Sequence, residues 1–393
     1  MATVLIPGIK GSELTDSYPL DWPVRWSLED MVFGDAFENP LDFALLDGRY
    51  EANDGHRMLP SRPIRYAYGE MVGKLRAWKP NEALHVFTYD WRRPIEHAAQ
   101  KLMEFCDELQ GRQKRLKRSP ALNFITHSMG GLVLRSMLGL RDRKNPFAEV
   151  DRVVFIAPPF RGSIAAAQML VAGERDGWFG TDEDYRKIAR SFPSVYQMTP
   201  YFDGCCVNEA GKPVDLFDAA NWQANVRDGN GGFEPRFVAD AEAFHRGKAA
   251  RQGGSSTASV IDDAALAAHA DRILILQSAG VPTQSGFTVQ QANSSNPNWF
   301  DFAAASKDGL GDGRVHLRSA AVPGVTLAGF AGALDHGRVC RDSRVINTVS
   351  LWLDGKRALK MQPRGPEHAA ERRSRSYFGA WDGDVASLAT HVA

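Results

Sequence analysis

The chain is poor in several features that would have pointed to other kinds of protein. Its 393 residues include only four cysteines, Cys106, Cys205, Cys206 and Cys340, with no C-x-x-C and no regular spacing. That argues against a disulfide framework, since adjacent cysteines are badly placed to bond to each other, and it predicts reduced thiols in a cytosolic protein. Charge of neither sign dominates. The 47 basic and 47 acidic side chains give a formal net charge of zero, so no global field steers the molecule toward nucleic acid. No apolar run is long enough to cross a bilayer, and residues 1–8 have no charged stretch ahead of a long apolar one. Neither a transmembrane segment nor a signal peptide is expected, and the expected location is cytoplasmic. H-E-x-x-H, clustered Cys and His, and G-x-x-x-x-G-K-[ST] are all missing, so neither a metal nor any other cofactor is expected. There is no internal repeat.

The composition itself is ordinary, with 44% hydrophobic residues, enough for a sizeable core. Short apolar, β-branched segments at 3–6, 84–89, 121–125, 153–157 and 273–276 read as strands. Between them lie helical patterns at 66–78, with Met71, Leu75 and Trp78 on one stripe, from Pro94 to Leu109, and from Met129 to Leu138. A basic linker, 112–118, separates the second helix from the next strand. Residues 325–330 make a candidate last strand and 344–353 a helix. Apolar strands alternating with amphipathic helices predict an α/β fold: a mostly parallel central sheet with helices on both faces. The alternation breaks twice. Residues 18–62 read as a surface insertion, and 161–271, helical or irregular, as a cap inserted within the core. The expected division is a catalytic core of 1–160 and 272–360, the cap, and a C-terminal tail of 361–393.

The central feature is the strand at 121–125 followed by Thr126-His127-Ser128-Met129-Gly130-Gly131 and then a helix. A sharp strand-to-helix turn of this kind lifts a serine hydroxyl above the end of a sheet, which makes Ser128 the candidate nucleophile of an α/β-hydrolase. The alternative is a serine that merely caps a helix. Position −2, usually glycine, is Thr126, a β-branched residue expected to crowd the turn. A nucleophilic serine needs a base and an orienting acid, in this fold in the order Ser, acid, His. Asp312, in Gly311-Asp312-Gly313-Arg314, and His336, in Leu334-Asp335-His336-Gly337, fall in that order in glycine-rich loops. Asp308 is the competing acid. His316 is the competing base, but it sits too near Asp312. His127 adjoins Ser128, and its side chain should leave the elbow in another direction. The oxyanion hole is assigned to the backbone N–H groups of Met129 and of Ile9, the latter in the loop Pro7-Gly8-Ile9-Lys10-Gly11-Ser12. Trp22, Trp26, Trp178 and Phe179, in the two insertions, either line an acyl pocket, touch a lipid surface or pack within the insertions.

These residues together resemble the lecithin:cholesterol acyltransferase-like family of α/β-hydrolases, which includes lysosomal phospholipase A2-type enzymes and bacterial lipases. The resemblance rests on the opening strand and loop Val4-Leu5-Ile6-Pro7-Gly8-Ile9-Lys10-Gly11-Ser12, on Tyr89-Asp90-Trp91-Arg92 and on His127-Ser128-Met129-Gly130-Gly131. It rests also on Ala157-Pro158-Pro159-Phe160-Arg161-Gly162-Ser163 and on Ser191-Phe192-Pro193-Ser194-Val195-Tyr196-Gln197-Met198-Thr199-Pro200, where Thr199 replaces a usual leucine. Gly311-Asp312-Gly313-Arg314-Val315 is similar to the family's G-D-G-T-V, with Arg314 in place of threonine. The resemblance implies a serine acyl hydrolase or O-acyltransferase acting on lipid esters, with an acyl-ester lipid as partner and a transient membrane-surface contact. A small-molecule esterase with the same triad and a catalytically silent binding protein remain open alternatives.

Overall fold

The computed structural model describes residues 1–16, 25–26, 44–45, 58–141, 145–173, 181–223, 226, 232–247, 258–290, 300–331, 334–356 and 376–380. Its organising element is a seven-stranded sheet. β1 (Ala2–Ile6) is flanked by β5 (Ala83–Val86) and β6 (Leu122–His127), and the sheet continues through β7 (Val150–Ile156), β9 (Ile273–Ala279), β12 (Thr326–Ala331) and β13 (Ser376–Ala380). The first six strands run parallel, and β13 closes the edge antiparallel to β12. β1 and β6 are buried throughout, as strands covered on both faces must be.

Two apolar clusters lie on the two faces of this sheet. Leu5, Ile125, Val154, Leu274, Leu276 and Phe330 pack with residues of α1 (Arg65–Trp78) and of Ser343–Leu353. Val4, Phe124, Val153, Phe155 and Ile275, on alternate positions, pack with α2 (Ile95–Arg115) and α3 (Gly130–Arg141). The expected α/β architecture is therefore present, with helices on both faces.

Several details differ from the sequence reading. α2 runs to Arg115, through most of the segment read as a basic linker. Its buried stripe continues past Leu109 to Gln110 and Gln113, and Arg112, Lys114 and Arg115 sit in its last turn, where cations complement the helix dipole. The strand at 325–330 is followed in the sheet by β13, contributed by the C-terminal tail. Within 161–271 lie α4 (Ile164–Val171), α5 (Asp182–Arg190), α6 (Pro193–Tyr196) and α7 (Pro235–Arg246), but also a strand, β8 (Cys206–Asn208). β8 pairs with β10 (Thr283–Val289), which pairs antiparallel with β11 (Phe300–Asp308); neither of those two strands was expected. Of the 18–62 insertion most residues lie outside the described ones. Its end, β4 (Met58–Pro63), pairs with β2 (Ser12–Asp16), which also pairs with the two-residue β3 (Arg25–Trp26). Trp22, Trp178 and Phe179 lie outside the described residues, as does the side chain of Trp26.

Candidate active site

β6 ends at His127, and α3 begins at Gly130, so the chain reverses at Ser128 and Met129. Ser128 takes a left-handed backbone with φ of 53°. That conformation is unfavourable for a residue with a Cβ, and it is held by hydrogen bonds on both sides. The Ser128 N–H donates to the Ile156 carbonyl, and its own carbonyl accepts from Gly131 N–H, both at 2.9 Å. The turn leaves no room at two glycines. A Cβ on Gly130 would lie 2.5 Å from the Ile6 carbonyl oxygen, and one on Gly8 would lie 2.8 Å from the Ser128 Cβ. Thr126, expected to crowd the turn, is followed in the strand by His127 before the chain reverses. It lies within β6, paired with Ile6 and Phe155, where a β-branched residue is at home.

The Ser128 hydroxyl lies 2.9 Å from His336 Nε2, and His336 Nδ1 lies 2.7 Å from Asp312 Oδ2. An ionised carboxylate only accepts hydrogen bonds, so Nδ1 carries the proton and Nε2 is free to accept from the serine hydroxyl. Burial alone would raise the Asp312 carboxyl. The facing His336 and the backbone N–H groups of Val315 and Arg314, donating to Oδ1, more than offset it, and the group is held below its ordinary value. Arg314 thus holds the Asp312 carboxylate through its main chain, while its side chain is exposed; the departure from threonine leaves this contact in place. The competitors pair with each other. His316 Nε2 lies 3.0 Å from Asp308 Oδ1, and its Nδ1 accepts the Arg318 N–H, so neither faces Ser128.

Asp312 reaches this place by a detour. β9 ends at Ala279, and the chain leaves through β10 and β11. It then returns so that Asp312 bridges Val281 just past the end of β9, and Gln277 Nε2 donates to the Val315 carbonyl. Ser128, Asp312, His336 and the 7–12 loop consequently gather at the carboxyl ends of β6, β9, β12 and β1, the usual place for a site in a parallel sheet.

Ile9 and Lys10, from the loop after β1, line the cavity together with Ser128. The backbone N–H groups of Ile9 and Met129 donate to no acceptor among the described residues. The loop itself is pinned by side chains whose part was not read from the sequence. Tyr89 Oη donates to the Pro7 carbonyl at 2.8 Å, and Trp91 Nε1 to the Ser12 carbonyl at 3.0 Å. The Y-D-W-R segment was noticed as a motif. Its physical role is to clamp this loop, with Asp90 and Arg92 forming a buried ion pair beneath it. His127 does leave the elbow on another side, to meet Tyr68 and the His336 main chain.

The cavity beside Ser128 measures about 490 Å³, within the range of small-ligand sites. Its apolar wall comes from Ile9, Pro159, Ala166, Met169, Met198 and Val315, and Lys10, Arg314 and Asp335 also line it. Pro159 belongs to the 157–163 segment, Met169 to α4, and Met198 to the segment following α6.

Residues 62–225 match the lecithin:cholesterol acyltransferase family model. The matched stretch contains Y-D-W-R, the Ser128 elbow and both later motifs, so the chain is LCAT-like over this stretch, as the motifs suggested. Asp312, His336 and the Ile9 loop lie outside it. Lecithin-cholesterol acyltransferase-like 4 of Arabidopsis thaliana is 26% identical over 160 residues, which cover 37% of this chain and 29% of that protein. The match thus spans less than a third of the curated relative. Among solved structures, the crystal structure of the Tle4–Tli4 complex superposes with a TM-score of 0.54 at 14% identity, covering 90% of this chain and 98% of that one. That likeness concerns the fold, which is the α/β-hydrolase architecture. The mature form of the Bacillus licheniformis lipase BlEst2 covers similar shares, 90% and 91%, at a TM-score of 0.38 and 12% identity.

Proposed function

We propose that this LCAT-like α/β-hydrolase chain is a serine acyl hydrolase of lipid carboxylic esters. The observation that carries the reading is the unbroken line from the Ser128 hydroxyl through His336 to the buried Asp312 carboxylate, opening on an apolar cavity. Ser128 Oγ attacks the ester carbonyl carbon as His336 Nε2 takes the hydroxyl proton. The oxyanion is held by the N–H groups of Met129 and Ile9. Collapse breaks the ester C–O bond. The leaving alcohol takes the proton from His336, and an acyl-Ser128 ester remains. Water, deprotonated by His336, attacks the acyl carbon, and the acid leaves as the bond to Ser128 Oγ breaks and Oγ takes the proton back from His336; an acceptor alcohol in place of water would make the enzyme an O-acyltransferase. Asp312 holds the imidazole in the required tautomer and stabilises the imidazolium. The lipid part of the reading is supported by the family match and by the apolar lining. It includes a transient lipid-surface contact through Trp22, Trp26, Trp178 and Phe179.

Fluorophosphonate labelling and ester turnover test the chemistry. Labelling is expected on the wild-type protein and absent from Ser128→Ala. Asp312→Asn, which reverses the His336 tautomer, should lower kcat by about 10³–10⁴-fold with the fold intact. Undiminished turnover in either variant would overturn the assignment. A chain-length series of p-nitrophenyl esters and co-sedimentation with phosphatidylcholine vesicles test the substrate class. Activity confined to short soluble esters, with no vesicle binding, would remove the lipid and leave a small-molecule esterase.

A further inference from the structure

Behind the catalytic line runs a second set of hydrogen bonds, buried and directed away from the cavity. Gly8 N–H donates to Tyr68 Oη at 2.9 Å, Tyr68 Oη lies 2.8 Å from His127 Nδ1, and His127 Nε2 lies 3.2 Å from the His336 carbonyl. Every proton has only one place to be. The His336 carbonyl can only accept, so His127 Nε2 carries the hydrogen; Nδ1 then accepts from the Tyr68 hydroxyl, whose oxygen accepts from Gly8. The relay requires a neutral His127, and burial, reinforced by the neighbouring His336, pushes this imidazole down to about 3. Burial likewise raises the Tyr68 phenol well above its ordinary value, so the phenol keeps its proton. The His127 and His336 rings also lie against each other, with centroids 4.8 Å apart.

We propose that Tyr68 and His127 are positioning residues that lock the loop carrying the Ile9 amide and the loop carrying His336 to the Ser128 elbow. The relay joins the loop after β1, the last residue of β6 and the loop after β12, and at each of these places it sits at or beside a reacting group. Gly8 precedes Ile9, His127 precedes Ser128, and the last acceptor is the carbonyl of His336 itself. Neither Tyr68 nor His127 lines the cavity, so they act on rate rather than on substrate binding. Partners of this kind, one step behind the reacting groups, typically change activity 10–100-fold in metal sites, and the same orienting logic applies here.

The assignment rests on the Ser128 acyl-hydrolase reading. The full-length protein is assayed with p-nitrophenyl esters, following kcat, KM and melting temperature. Tyr68→Phe keeps the ring and removes the hydroxyl. It should lower kcat roughly 10–100-fold with KM within about twofold. His127→Gln retains one acceptor and one donor and should keep more activity than His127→Leu. In a His336→Ala background, Tyr68→Phe should cost much less than in the wild type, because the imidazole it orients is gone. A kcat unchanged in Tyr68→Phe, equal losses in His127→Gln and His127→Leu, or losses that follow the folded fraction alone would overturn the positioning role. A wild-type protein without Ser128-dependent turnover would overturn the hydrolase reading first, before any of these variants is compared.

Discussion

Ser128 holds its left-handed backbone at an energetic cost, of the order of 1–2 kcal/mol for a residue with a side chain. The cost is met by the sheet on one side and by α3 on the other, and the result is a hydroxyl that stands clear of the β6 end. The size limit this imposes falls on Gly130 and Gly8. Thr126, two positions before Ser128, is fully buried, and among the described residues its Oγ1 has no hydrogen-bond partner. An orphaned buried hydroxyl is a liability of about 1–3 kcal/mol. Thr126→Val, which keeps the shape and removes the hydroxyl, should therefore raise stability by about 1 kcal/mol, with labelling at Ser128 retained. A fall in the denaturation midpoint would mean that the hydroxyl makes a contact that the buried geometry does not show.

Among the elements, α2 begins without a capping side chain, because Pro94 precedes Ile95 and offers none. The missing cap comes from the 161–271 insertion. Gln197 Oε1 accepts the Ile95 N–H at 2.7 Å, and Gln197 Nε2 donates to the Glu96 carboxylate at 2.6 Å. Ser194 Oγ donates to the Trp91 carbonyl at 2.6 Å, so the segment 192–198 is stitched to Y-D-W-R as well. These contacts join two sequence motifs that lie a hundred residues apart in the chain. Gln197→Leu would orphan the first donor of α2 and remove one of two side-chain donors to the half-buried Glu96 carboxylate, and should destabilise the protein by about 2–4 kcal/mol. Chemical denaturation would show this as a lower midpoint at unchanged slope; an unchanged midpoint would mean that the insertion does not cap this helix.

For the molecule as a whole, two histidines, the buried His127 and the half-buried His245, set an acid limit on stability. His127 and His245 are each pushed by burial to about 3, against an ordinary value near 6.5. His245 is fixed by hydrogen bonds with the Gln197 carbonyl and the Tyr201 hydroxyl. Both imidazoles gain protons on unfolding at any pH between those values, so stability present above about pH 6.5 is lost as pH falls toward 3. The two protons these rings take up on unfolding contribute a slope of about 3 kcal/mol per pH unit. Glu96, raised by burial despite its hydrogen bonds, opposes part of it. Denaturation midpoints between about pH 6 and 5 should show this decline, and His245→Gln should remove roughly half of it; a flat profile in the wild type would contradict the buried neutral state of both rings. At this scale the division between sequence and structure is also plain. The amino-acid sequence by itself determined the parallel α/β class, through the alternation of apolar strands and amphipathic helices, and it singled out Ser128, because a nucleophile elbow is a local turn whose glycines must be contiguous with it. It favoured Asp312 as the acid and His336 as the base, with Asp308 and His316 as their competitors. Only the tertiary structure brings Asp312 and His336 into hydrogen-bond line with Ser128, because distances between loops depend on strand order and on the β10–β11 excursion, which leave no periodic trace in the chain. The same holds for Tyr68 and His127. Their neighbours in sequence mark them as helix and strand residues, and it is the meeting of three strand ends that turns them into a single buried relay.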